Sequence, residues 1–273
     1  MSPNVTLFAV VFAAAFALFG WSCFRCFRLI TLGREENRFN DVPKRLWNML
    51  FYAFGQRKVI SRPFGFNHFV LFWCFLILFT ANTEFLLHGL LPDYISLSRL
   101  PAGAYYTLAL IFDVVSVLAL LAVIIALIRR LAFPPPHIEA RSLDAFVILA
   151  LVAILMIAFF GMHATEIAQG REEAARFMPI SSFTASAFLS GVPAGNLVRY
   201  ASSFWWIHAL VLLAFLNYLP YSKHLHILTA IPNCFFRSLE KVNTQPREEF
   251  KKGNVFGVGQ VEQFTWKGLF DSY

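Results

Sequence analysis

The sequence predicts an all-α integral membrane fold, a bundle of five transmembrane helices, and three observations predict it. Hydrophobic residues fill 58% of the 273 positions and charged residues only 14%, with a mean hydropathy of +0.60. Soluble domains carry about a quarter charged residues. Five apolar stretches are each long enough to cross the hydrocarbon core of a bilayer, and lipid offers the backbone no hydrogen-bond partners, so they must be helices. The lysines and arginines, finally, collect in alternate connections between those stretches.

In chain order, the first span covers about residues 4–30. It lacks a basic n-region and a small-residue cleavage site, so it reads as a span and not as a removed signal. Cys23 and Cys26 at its end form a lone C-x-x-C with no histidine after it, which does not indicate covalent c-type haem attachment. A basic segment, 33–62, follows. Its stretch RLWNMLFYAFGQRK mixes aromatic and cationic side chains in the manner of a helix lying in the membrane interface. The second span, 64–90, opens GFNHFVLFWCF and closes TANTEFLLHGL; the third, 105–128, stops at Arg129 and Arg130. After the PPPH break, where His137 reads as a loop residue, the fourth span covers 143–168. A loop of about thirty residues, 169–199, enters a fifth span at 204–231. Phe204, Trp205 and Trp206 at its start suit an interfacial aromatic belt. The predicted domains are therefore a membrane domain, 1–231, and a polar tail, 232–273, with a glycine-spaced linker near 253–259.

Placing the basic end of the first span, the first connection, the 129–142 loop and the tail from the end of the fifth span on one side gathers every lysine and arginine except Arg99, Arg171, Arg176 and Arg199. The positive-inside rule then puts the N-terminus outside and the C-terminus in the cytoplasm. A net charge of +7 held in such loops is not a nucleic-acid footprint, and no nucleic-acid partner is expected. The first expected partner is the lipid bilayer.

In this frame six of the seven histidines fall into two layers. His68, His224 and His226 lie on the cytoplasmic side, and His88, His163 and His208 on the outer side. Ionisable residues at membrane depth are costly and mark functional sites. Neutral imidazole is an axial ligand of haem, and antiparallel helices can hold a haem between facing side chains. His208 and His226 are eighteen residues apart, about five helical turns, so on one continuous helix they would share a face some 27 Å apart. Two stacked b-type haems are the expected cofactors. His224, about 200° from His226 on such a helix, is expected to be interfacial or a propionate partner.

The run from His208 through LPYSKHLHI to His226, with Pro220, Tyr221, Ser222 and Lys223 at the turn, resembles the last helix of the di-haem cytochrome b (gamma) subunit of respiratory nitrate reductase. Asn67–His68 matches that family's N-x-x-H-like context on the second span, and five spans with the N-terminus outside agree with it. The resemblance implies His68 and His226 as axial ligands of the cytoplasmic haem and His208 as a ligand of the outer one. The family's second ligand on span two lies ten residues after the first, where this chain has Leu78. The remaining outer ligand is thus open between His88 and His163. His88 is twenty residues from His68, about 200° round the helix, and would need a kink near Asn82. His163 follows Gly161, whose missing side chain would let a flat macrocycle approach. His163 is the expectation and His88 the alternative.

The Gly33–Arg34 loop, PNCFFRSLE and the closing VEQFTWKGLFDSY are similar to the N-terminal membrane half of heterodisulfide-reductase-related iron–sulfur oxidoreductases. There a W-K-x-L-x-D-x-Y run leads into a ferredoxin-like cysteine segment. The resemblance implies a membrane-bound oxidoreductase of the bacterial inner membrane, multi-pass, exchanging electrons between a cytoplasmic donor and menaquinone as substrate. Electron-transfer flavoprotein is one such donor, with iron–sulfur clusters in a partner subunit or a further C-terminal domain. Asp113, Glu84, Glu166 and Asn82 inside the spans suit either a proton relay or interhelical hydrogen bonds. The rival expectations are a cofactor-free membrane anchor subunit and a small transporter, which would more often show internal repeats.

Overall fold

The structure, a computed structural model, describes residues 4–134, 142–240 and 258–272; His137 lies outside the described residues. In chain order the α-helices are α1 (Val5–Phe27), α2 (Val42–Met49), α3 (Arg57–Ile60), α4 (Gly65–Leu90), α5 (Ala102–Ala132), α6 (Leu143–Ala168), α7 (Pro179–Phe188), α8 (Ala194–Tyr218), α9 (His226–Phe236) and α10 (Trp266–Phe270). The fold is all-helical, and five segments are long and apolar enough to span a membrane: Val5–Leu32, Gly65–Leu90, Ala102–Ala132, Leu143–Ala168 and Ala194–Tyr221.

The fifth span departs from the expectation of 204–231. It starts ten residues earlier, and α8 stops at Tyr218. Leu219–Tyr221 and Lys223–Leu225 are 3-10 turns, and α9 begins afresh at His226. Pro220, which has no N–H to give a helix, sits in this break. His208 and His226 therefore do not share a continuous helix, and the count of five turns and 27 Å between them does not apply. His208 also lies mid-helix and not at the start of the span.

The chain divides into two compact units, residues 1–18 with 62–218 and residues 19–61 with 219–273. In the first, α6 packs against α5, α7 and α8, and α4 packs against α5. Helix α5 shows how such a bundle is built for lipid. Leu110, Val114, Leu118, Leu121, Ile125 and Ile128 recur every three or four residues and are exposed. The opposite face, with Phe112, Asp113, Ser116 and Ala119, is buried. An apolar stripe left uncovered at helical period is what a lipid-facing surface requires. A second core forms where Phe8, with no exposed surface, packs against Gly89 and Trp205. A Cβ on Gly89 would lie 2.6 Å from the Phe8 ring, so the residue must stay bare.

The loop expected at 169–199 holds a helix, α7, and Asp113 is the reason it can be buried. Fully enclosed on α5, the Asp113 carboxylate accepts Ile180 N–H at 2.7 Å, Ser181 N–H at 3.1 Å and the Ser181 hydroxyl at 2.6 Å. It thereby caps the first turn of α7 from another helix, where the helix dipole also favours a negative charge. Of the two readings open for Asp113, the structure shows interhelical hydrogen bonding.

In the second unit α2 packs against α9. Arg45, 2% exposed, donates to Phe235 O at 3.1 Å and Arg237 O at 2.8 Å, and to Asn40 O and Oδ1 at 2.7 and 2.6 Å. A guanidinium there satisfies the orphan carbonyls at the C-terminal end of α9. Leu46, Trp47 and Leu50 remain exposed beside Lys44, and Arg57 lies over the Phe51 ring at 4.7 Å. Helix α2 covers only the start of RLWNMLFYAFGQRK, which continues through a wide turn at Leu50–Phe54 into α3, and its exposed apolar side chains suit an interfacial helix.

The closing segment is folded onto this unit. Arg34 N–H donates to Phe264 O at 2.8 Å and Trp266 N–H to Arg34 O at 3.0 Å, while the Trp266 indole N–H reaches Glu36 O at 2.7 Å. Lys267, 3% exposed, donates to Asn233 Oδ1 at 2.7 Å and pairs with Asp271. The Trp, Lys and Asp of W-K-x-L-x-D thus each have a structural partner.

Candidate functional site

Three of the expected outer-side histidines come together in the first unit. His88 on α4, His163 on α6 and His208 on α8 line one cavity of about 200 Å³, with Asn82, Glu84, Tyr105, Glu166 and Glu172 among its polar walls.

His208, 3% exposed, bridges two helices. Its Nδ1 lies 3.2 Å from Leu155 O on α6, and its Nε2 lies 2.8 Å from Asn82 Oδ1 on α4. Both ring nitrogens thus face a carbonyl oxygen, and a carbonyl oxygen can only accept. A proton on Nδ1 alone requires the Asn82 amide to be turned so that its N–H₂ meets Nε2. The Phe85 ring stands edge-on to the imidazole at 4.7 Å between centroids.

His163 Nδ1 lies 3.3 Å from Glu172 Oε2 and 3.9 Å from Glu166 Oε2. The Phe159 ring lies 4.5 Å from its own. Glu172 is held from two further directions: Tyr105 O–H donates to Oε1 at 2.8 Å and Ala174 N–H at 3.0 Å. Burial pushes this loop carboxyl up, but the donors from His163, Tyr105 and Ala174 outweigh it and bring it down to about 2. His88 Nδ1 bonds Ile95 O at 2.6 Å. Helix α4 runs unbroken through Asn82, so His88 reaches the cavity without the kink expected there. Asn82 instead serves His208, and Glu84 accepts Leu97 N–H at 2.9 Å, tying α4 to the turn after it.

Two details differ from expectation. Gly161 does not face open space, because a Cβ there would lie 2.6 Å from the Phe204 ring. Trp205 is 5% exposed and belongs to the core with Phe8 and Phe85, not to an interfacial belt. An aromatic-rich helix start reads alike whether its rings face lipid or neighbouring helices.

His68 and His226 are both exposed, and they belong to different units. Asn67, beside His68, donates to Ala122 O at 3.0 Å and fastens α4 to α5. His226 Nδ1 lies 2.8 Å from Lys223 O. His224 is in the 3-10 turn before α9, with its ring centroid 5.2 Å from that of His226. The two rings are neighbours and not on opposite faces of a helix.

Glu172 and Tyr105 were missed at the level of sequence. Glu172 is one of two adjacent glutamates in a connection, and nothing local separates it from Glu173.

The histidines offer imidazole donors of the kind that can ligate haem iron. At His88, His163, His208 and His226, Nδ1 is bonded to a carbonyl or carboxylate oxygen, the arrangement that orients a ligating imidazole, while Nε2 of His208 is itself held by Asn82. The cavity is smaller than the roughly 300–1,000 Å³ of sites for drug-sized ligands.

No family model matches the chain, and no solved structure matches it significantly. Among curated proteins it is 26% identical over 98% of its length to "EtfAB:quinone oxidoreductase" of Syntrophomonas wolfei subsp. wolfei. It is 28% identical over 99% of its length to "Probable iron-sulfur-binding oxidoreductase FadF" of Bacillus subtilis. The chain spans 38% of the length of each of these relatives.

Proposed function

We propose that the chain is the membrane di-haem cytochrome b part of an oxidoreductase. It passes electrons between an iron–sulfur or flavoprotein donor on the cytoplasmic side and menaquinone in the bacterial inner membrane. The observation that carries this reading is the convergence of His88, His163 and His208 on one cavity, each with Nδ1 held by an oxygen. Similarity to a quinone oxidoreductase and to an iron–sulfur oxidoreductase supports the direction of the chemistry.

His163 and His208 would hold the outer haem, with His88 as the alternative to His163, and His68 and His226 the cytoplasmic one. A haem bound between two such imidazoles supplies one-electron transfer at a potential set by its ligands and their hydrogen bonds. The chain's residues do the positioning: Leu155 O and Glu172 orient the outer imidazoles, and Phe85 and Phe159 pack on their faces and edges. Cys23, Cys26, Cys74 and Cys234 do not form an iron–sulfur motif, so clusters are assigned to a partner subunit or a further domain. The distribution of lysine and arginine supports an external N-terminus and a cytoplasmic C-terminus.

One observation favours a second reading, a cofactor-free anchor subunit. Asn82 already satisfies His208 Nε2, the nitrogen that a metal would need. Absorption of the purified protein decides between them. Sharp b-type bands on reduction, at two haems per chain, are expected; a colourless pure protein overturns the cytochrome reading.

A further inference from the structure

We infer that Glu172 is the positioning residue of the outer haem, an inference that rests on the di-haem reading above. It selects His163 over His88 as the axial ligand and lowers the potential of that haem.

The carboxylate is fixed before the histidine is. Its side chain is only 7% exposed, and it is gripped by Tyr105 O–H on α5 at 2.8 Å and by Ala174 N–H in its own loop at 3.0 Å. A buried carboxylate persists only where donors surround it, and here they define where its second oxygen lies. That oxygen, Oε2, is 3.3 Å from His163 Nδ1. A carboxylate can only accept, so His163 carries a proton on Nδ1 and it is Nε2 that can be freed for a metal. The orientation of the ring is therefore set by a residue nine positions along the chain.

The three imidazoles at the cavity are not equivalent. His88 and His208 donate to neutral backbone carbonyls, Ile95 O and Leu155 O, whereas His163 donates to a carboxylate, with the Glu166 carboxylate a further 3.9 Å neighbour. Hydrogen bonding to an anion is about twice as strong as to a neutral acceptor and makes the imidazole a more basic ligand. A more electron-rich ligand stabilises the oxidised iron and lowers the potential. Of the two candidates left open by sequence, only His163 has this support.

The test is a redox titration of the purified full chain with haem counted per protein. Glu172→Gln keeps the shape but removes the charge: two haems should remain and the potential of one should rise. Tyr105→Phe removes a competing donor, leaving more charge on the carboxylate for His163, and should shift the same haem downward. Glu172→Asp should fall nearer wild type than Glu172→Gln. A merely structural role would not move one potential in opposite directions. Unmoved potentials in Glu172→Gln and Tyr105→Phe at full haem content overturn the inference, as does loss of a haem in His88→Ala but not in His163→Ala. If Glu172→Gln fails to fold, Tyr105→Phe alone decides on the same criterion. A colourless wild type defeats the di-haem reading itself, whereas a coloured wild type with unmoved potentials defeats only the role of Glu172.

Discussion

Asn82 on α4 and His208 on α8 meet across the bundle, with 2.8 Å between Asn82 Oδ1 and His208 Nε2. The nitrogen that an iron would need is the one the asparagine holds. This makes Asn82→Leu a discriminating substitution. If the site holds haem, the amide is already displaced, and the variant should keep its haems and its thermal stability. In a cofactor-free protein the same change would strand a buried imidazole nitrogen at a cost of about 1–3 kcal/mol. Thermal unfolding in detergent, read beside haem content, separates the two.

The ligand assignment predicts a pattern of losses. His68→Ala and His226→Ala should each abolish one and the same haem, since each removes one axial bond. His208→Ala and His163→Ala should abolish the other, and His88→Ala should keep both. Haem-to-protein ratios in membrane preparations check this, and loss of different haems in His68→Ala and His226→Ala would separate that pair.

Five spans were legible in the sequence because length and apolarity are enough for a helix in lipid, and no partner has to be known. The trio His88, His163 and His208 was legible for a related reason: a polar residue in such a run stands out. The break after Tyr218 was legible in part. Pro220 marks a turn in the sequence, yet the eighteen-residue spacing of His208 and His226 is also that of one continuous helix. The helix at Pro179–Phe188 was not legible, because its first turn is capped by Asp113, 67 residues away in sequence from Ile180. Glu172 was missed for the same reason, since its partners Tyr105 and His163 are defined only by tertiary packing.

The Asp113 cap has a measurable consequence. Asp113→Asn keeps one acceptor oxygen but turns an amide N–H₂ toward the donors of Ile180 and Ser181. Leaving a buried donor unpaired costs about 1–3 kcal/mol, so the unfolding temperature should fall and protease should cut at α7 sooner. Ser181→Ala, which removes one of the three bonds, should cost less, about 1 kcal/mol. Equal cleavage of Asp113→Asn and wild type at α7 would show that the helix is held without the cap.

The orientation of the chain can be read directly from its end. With the basic connections on the cytoplasmic side, a reporter enzyme fused after Tyr273 should be active only as a cytoplasmic one. A fusion signal from the opposite compartment would refute the assignment of the loops.

The last prediction concerns how the closing segment is seated. Gly33 faces the backbone of Trp266 so closely that a Cβ would lie 2.5 Å from its N atom, and backbone cannot swing aside as a flexible side chain can. Gly33→Ala should therefore break the paired hydrogen bonds of Arg34 with Phe264 and Trp266 and expose residues 258–272 to protease. Lys267→Met should act in the same direction but more weakly. It removes the bonds to Asn233 and Asp271 while keeping an apolar stem of similar length. Because the cavity histidines His88, His163 and His208 all lie in the other unit, both variants should keep the haem that they hold. Limited proteolysis with the fragments identified by mass, run beside a haem count, tests both halves. Protection of 258–272 equal to wild type in Gly33→Ala would mean that the segment is anchored elsewhere. Loss of the outer haem would mean that the two units are energetically linked.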